Sequence, residues 1–132
     1  MTVIVADHTS MYADSQLTDD DMVFTGYCKI RRIGEVLVGG AGVYTSVLKF
    51  FELCESGMDR ADAPHFEDDF NALVVTREGI YHYDNNLIPI KIQDRYAVIG
   101  SGSHLAVGSL ESGATPFEAV KAVCKRSIDC SE

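Results

Sequence analysis

The chain has 132 residues, 46% of them hydrophobic, a length that suits one hydrophobic core rather than two ordinary domains. We therefore expect a single domain over residues 1–132. The formal net charge of −9 would repel a phosphate backbone, so nucleic-acid binding is not expected. Acidic runs at 19–21 and 67–69 are more typical of solvated loops than of metal sites, and we expect neither a metal nor a cofactor.

The cysteine pattern and the first residues of the chain indicate the cellular compartment of the protein. The four cysteines show neither a C-x-x-C pair nor histidines at zinc-ligand spacing, which favours reduced thiols. The first seven residues lack the basic start and long apolar stretch of a secretion signal, and no apolar run reaches membrane-spanning length. These patterns predict a cytoplasmic protein without a membrane partner.

Short apolar and β-branched runs separated by turn residues predict a series of strands. The runs lie at residues 2–6, 11–13, 27–33, 36–38, 72–75, 80–83, 88–92 and 96–99. Most neighbours are joined by tight turns, so we expect antiparallel hairpins. Glycines 39, 40 and 42 are expected to break the fourth strand, and residues 58–69, which have no clear period, predict an irregular connection.

Three segments have the helical period. The first should end near Gly57 and has an apolar face made of Val43, Val47, Phe50, Phe51 and Cys54. The second spans residues 104–110, after a glycine–serine break at 100–103.

The third helix has the clearest start signal in the chain. Thr115-Pro116-Phe117-Glu118 combines an N-cap, a proline at the first helical position and a capping-box glutamate. Its predicted buried face consists of Phe117, Val120, Val123 and Cys124. Helices that are separate from antiparallel strands predict a layered α/β (α+β) sandwich.

Five short motifs occur along the chain in the same order as in a known family of proteins. They are Thr2-Val3-Ile4-Val5, Ala13-Asp14-Ser15-Gln16, Lys29-Ile30-Arg31-Arg32, Val38-Gly39-Gly40-Ala41-Gly42 and residues 96–103. In order and rough spacing they resemble the proteasome β subunit and the HslV-type threonine peptidases. The resemblance implies the αββα sandwich of the N-terminal nucleophile hydrolases, shortened in the middle, at roughly residues 57–70, and at the carboxyl end.

The resemblance also implies a nucleophile and its charged partners. Thr2 corresponds to the nucleophile, which removal of Met1 would expose with an α-amine able to act as the base. Asp14 corresponds to the aspartate that pairs with a lysine in the family, and Lys29 to that lysine, whose positive charge lowers the proton affinity of the nucleophile.

Three further positions complete the implied site. Gly39 corresponds to the glycine whose N–H stabilises the oxyanion, and Ser101 and Asp129 to the groups that hold the amino terminus. The first hairpin is shorter than in the family by about four residues, an even number that keeps Thr2 and Asp14 on one face because strand side chains alternate.

Three functions stay open. The resemblance implies a threonine-type peptidase that cuts unfolded polypeptides or peptides within a homo-oligomeric ring, with a ring ATPase unfoldase as a possible partner. The short middle segment and the early carboxyl end, with Glu132 where the family has a serine, favour a catalytically silent structural or assembly protein instead. An amidase for a small molecule is the third. Without the resemblance, Thr2 would be an ordinary strand residue and Lys29 a solvated one.

Overall fold

The computed structural model describes residues 2–14, 17–19, 22–24, 26–57, 61 and 63–126. Its strands are β1 (Ile4–Asp7), β2 (Met11–Ala13), β3 (Leu17–Asp19), β4 (Met22–Phe24), β5 (Ile30–Ile33), β6 (Val36–Ala41), β7 (Asn71–Thr76), β8 (Gly79–Asp84), β9 (Ile90–Ile92) and β10 (Tyr96–Ile99). Its helices are α1 (Tyr44–Glu55), α2 (Ser103–Glu111) and α3 (Pro116–Arg126). The predicted order of strands, helix, strands and two helices is confirmed.

Two antiparallel sheets form the centre of the fold. One has the strand order β10-β1-β2 and the other the order β5-β6-β7-β8-β9, while β3 and β4 form a separate hairpin. Helices α2 and α3 pack on the three-stranded sheet, the two sheets pack on each other, and α1 packs on the five-stranded sheet. These four layers confirm the predicted αββα sandwich.

Strand β1 and the residue before it are buried from both sides, as the period of two requires. Val3 and Val5 pack with the apolar side chains of α2 and α3, whereas Ile4 and Ala6 point into the layer between the sheets. All four side chains are fully buried. Burial of a side chain the size of valine or isoleucine stabilises a fold by about 1.5–3 kcal/mol, so packing fixes the residues next to Thr2.

Two of the three glycines expected to break the strand, Gly39 and Gly40, lie inside it instead, because β6 continues to Ala41, whereas Gly42 follows its end. A Cβ atom on Gly39 would lie 2.8 Å from the Met11 sulfur, and one on Gly40 would lie 3.2 Å from the Val47 side chain. The missing side chains therefore make room for the other sheet and for α1. The sequence interpretation was wrong here because the neighbours that require glycine are distant along the chain.

Several other boundaries and faces also differ from the predictions. Residues 27–29 are not strand, since β5 begins at Ile30, and the hairpin of β3 and β4 was not predicted. Val43 precedes α1 and is 50% exposed, and Phe117 is 52% exposed instead of buried. The ring of Phe117 packs on that of Tyr12, with centroids 5.7 Å apart, so it covers the first hairpin from outside.

The predicted capping box of the third helix is confirmed. The Glu118 N–H donates to the Thr115 hydroxyl at 3.2 Å, and the Thr115 N–H donates to the Glu118 carboxylate at 3.2 Å. These bonds satisfy two backbone donors at the start of α3. Among the helices that the structure describes, none combines the length and the apolar character needed to cross a membrane.

Candidate active site

A buried ion pair joins the end of the first hairpin to the start of β5. Lys29 Nζ lies 2.7 Å from Asp14 Oδ2, and the two residues are only 4% and 1% exposed. The other carboxylate oxygen, Asp14 Oδ1, accepts the Val3 N–H at 3.0 Å. Because charges are costly to bury unless they are paired and hydrogen-bonded, this geometry explains how both groups are tolerated in the interior.

The same ammonium group reaches the hydroxyl of Thr2. Lys29 Nζ donates to Thr2 Oγ1 at 3.2 Å, so one cation contacts both a carboxylate and a hydroxyl. The prediction that Thr2 and Asp14 face the same way is thereby confirmed, and Lys29 is not the solvated residue that its strand pattern alone would suggest. A cation beside a hydroxyl favours the deprotonated oxygen, which is the form that attacks a carbonyl carbon.

The turn between β10 and α2 holds the backbone of Thr2 at two points. The Thr2 N–H donates to Ser101 Oγ at 3.1 Å, and the Gly102 N–H donates to the Thr2 carbonyl oxygen at 2.9 Å. Gly100 has φ +101°, and a Cβ atom there would overlap the Thr2 carbonyl group. Glycine is therefore required for the turn to approach Thr2 so closely.

No protein-family model matches the chain, and no curated protein matches it. Solved structures do match. BPH of Thiobacillus denitrificans in complex with epoxomicin has a TM-score of 0.72 at 14% sequence identity, and the match covers 99% of this chain and 93% of that one. Eukaryotic HslV from Trypanosoma brucei has a TM-score of 0.72 at 20% sequence identity, and the match covers 100% of this chain and 95% of that one. A Gly-1 mutant of Anbu from Hyphomicrobium has a TM-score of 0.74 at 12% sequence identity, and the match covers 100% of this chain and 79% of that one.

The chain has the fold of the proteasome-type N-terminal nucleophile hydrolases. At these identities the likeness concerns the fold alone. Within this proteasome-type fold, what the residues can do depends on the geometry around Thr2.

The structure brings four of the six predicted site residues together, and the roles of the other two stay predictions. Thr2, Asp14, Lys29 and Ser101 form one connected set of hydrogen bonds. Gly39 lies in β6 opposite Ile30, and its role as an oxyanion donor stays a prediction. Asp129 lies outside the described residues.

The sequence interpretation gave no role to the two glycines beside Ser101. The structure shows that Gly100 and Gly102 set the position of the Thr2 backbone, one by lacking a side chain and the other by donating its N–H. A signal was present, because glycine on both sides of a serine directly after a buried strand indicates a close backbone approach. The partner of that approach could not be read from the motif itself.

Proposed function

We propose that this chain is a threonine-type peptidase whose nucleophile is Thr2, exposed by removal of Met1. The observation that carries the proposal is the placement of the Lys29 ammonium, 3.2 Å from Thr2 Oγ1 and 2.7 Å from Asp14 Oδ2, in an almost fully buried position. A positive charge this close to the Thr2 hydroxyl favours its deprotonated form, which is the form that a nucleophile needs.

The proposed reaction begins when Thr2 Oγ1 attacks the carbonyl carbon of a peptide bond. The hydroxyl proton passes to the freed α-amine of Thr2, through a water molecule, while Lys29 stabilises the negative charge on the oxygen. Collapse of the tetrahedral intermediate breaks the C–N bond, and the departing amine takes the proton. An ester between Thr2 and the acyl half of the substrate remains, and water hydrolyses it.

Three further groups are assigned to supporting roles. The Ser101 hydroxyl, which accepts the Thr2 N–H at 3.1 Å, would hold the freed amine in place. Asp129 is proposed to share that role, and the Gly39 N–H is proposed to stabilise the oxyanion. Gly39→Ala is a poor test of that role, because its Cβ would lie 2.8 Å from the Met11 sulfur and disturb the packing.

The decisive experiment combines intact mass measurement with covalent labelling. Epoxomicin is the probe, since the solved structure of BPH contains it. We expect a chain without Met1, one adduct on the wild type, no adduct on Thr2→Ala, and full labelling of Thr45→Ala, which alters an exposed threonine on α1. Retention of Met1, or a folded wild type that takes no adduct, would contradict the proposal and favour a silent structural or assembly protein.

The setting of the reaction is also proposed from the resemblance. We propose that residues 1–132 form one domain in the cytoplasm, that copies assemble into a homo-oligomeric ring, and that unfolded polypeptides are the substrate, delivered by a ring ATPase. Light scattering tests the assembly, and we expect a mass several times that of one 14.4 kDa chain. A monomer at micromolar concentration would contradict the ring.

A further inference from the structure

The segment that carries Lys29 has little regular structure to hold it. Residues 26–29 lie outside the strands, and β5 begins only at Ile30. Two hydrogen bonds fix its last two carbonyl groups. The Gly40 N–H donates to the Lys29 carbonyl oxygen at 3.1 Å, and the Tyr44 hydroxyl donates to the Cys28 carbonyl oxygen at 3.1 Å.

Both donors come from one short stretch, where β6 turns into α1. Gly40 lies in β6, and Tyr44 is the first residue of α1. The Tyr44 ring is half-buried, packs against the apolar cluster beneath α1, and meets the Tyr27 ring edge-on with centroids 5.3 Å apart. The hydroxyl of Tyr44 is therefore held by packing at the place where it reaches the backbone before Lys29.

We propose that Tyr44 is a positioning residue for the peptidase reaction, acting through the Cys28 carbonyl group to fix the Lys29 ammonium against Thr2 Oγ1. The proposal rests on the proposed function. Without the hydroxyl, the Cys28 carbonyl group loses its hydrogen bond, the backbone at residue 28 becomes more mobile, and Lys29 Nζ lies on average farther from Thr2. Since a misplaced catalytic group slows the chemical step more than substrate binding, the effect should fall on kcat.

The test variant is Tyr44→Phe, which keeps the ring and its contact with Tyr27. We expect kcat to fall by about 2- to 10-fold, as for loss of one hydrogen bond, with KM unchanged. Tyr12→Phe is the control, because the Tyr12 ring packs on Phe117 of α3 on the other side of the sandwich, and its kcat should not change. An unchanged kcat, a rise in KM in place of the fall in kcat, or an equal fall of kcat in the control would overturn the proposal.

A second measurement does not depend on turnover. NMR of isotope-labelled lysine side chains, with the Lys29 signal identified from Lys29→Met, reports the surroundings of the ammonium directly. In Tyr44→Phe we expect this signal to move towards those of the exposed lysines, even if the protein has no peptidase activity. A Lys29 signal identical to that of the wild type would refute the positioning role, while absence of turnover in the wild type would refute only the proposed function.

Discussion

Removal of the Lys29 ammonium should destabilise the fold by an amount that its burial allows us to estimate. In Lys29→Met the apolar stem is retained, but the Asp14 carboxylate, 1% exposed, loses the cation 2.7 Å away. Breaking a buried pair by removing one partner costs about 3–5 kcal/mol. The Val3 N–H still donates to Asp14 Oδ1 at 3.0 Å, which offsets part of the cost, so we expect about 3 kcal/mol.

Urea unfolding measures this change. With a slope of about 1–3 kcal/mol per molar urea for a small protein, the midpoint should fall by about 1–3 M. The matched control is Lys49→Met, at an exposed position on α1, which should change the free energy of unfolding by less than about 0.5 kcal/mol.

A double-mutant cycle shows whether the loss belongs to the pair. Asp14→Asn leaves Lys29 without its carboxylate but keeps an acceptor for the Val3 N–H, and the double variant removes both charges. We expect the double variant to cost less than the sum of the single variants by more than about 1 kcal/mol. If the two costs simply add, Lys29 and Asp14 are not energetically coupled and the reasoning is wrong.

Three further predictions follow from other contacts. Gly100→Ala should abolish labelling of Thr2, because its Cβ overlaps the Thr2 carbonyl group, whereas Gly113→Ala, with φ +100° and open space around it, should label normally. Thr115→Ala should lower the free energy of unfolding in urea by about 1 kcal/mol, because α3 loses its N-cap. Burial lowers the pKa of His82 below 6.5, so acidification below pH 6.5 should lower the urea midpoint of the wild type more than that of His82→Gln. Equal changes of the two midpoints with pH would contradict this.

Much of the architecture could be predicted from local pattern. The β-branched apolar run at residues 2–6 predicted β1, and the Thr115–Glu118 signature predicted the start of α3. The errors at Gly39 and Phe117 have one physical cause, which is that periodicity identifies a face but not its neighbour. Gly39 looks like a strand break until the Met11 side chain of the other sheet is known, and Phe117 looks like a core residue until its helix is docked.

The site was predictable only through the resemblance. No local pattern distinguishes Lys29 from a solvated strand lysine, because the carboxylate that permits its burial lies on another strand pair, at Asp14. The even length difference in the first hairpin did predict that Thr2 and Asp14 share a face. The anchoring of the Thr2 backbone by Gly102, and that of the Cys28 carbonyl group by Tyr44, require coordinates, since neither contact follows from spacing.

The buried pair of Lys29 and Asp14 is itself an argument for function rather than for stability. A well-packed apolar or neutral pair of similar volume is often as stable as a buried ion pair, or more so, because both charges avoid desolvation. Lys29→Met combined with Asp14→Asn should therefore fold nearly as well as the wild type, yet it removes the ammonium that contacts Thr2 Oγ1. We expect this folded double variant to take no epoxomicin. If it were labelled at the wild-type rate, the ammonium would have no part in activating Thr2, and the proposed chemistry would have to be abandoned.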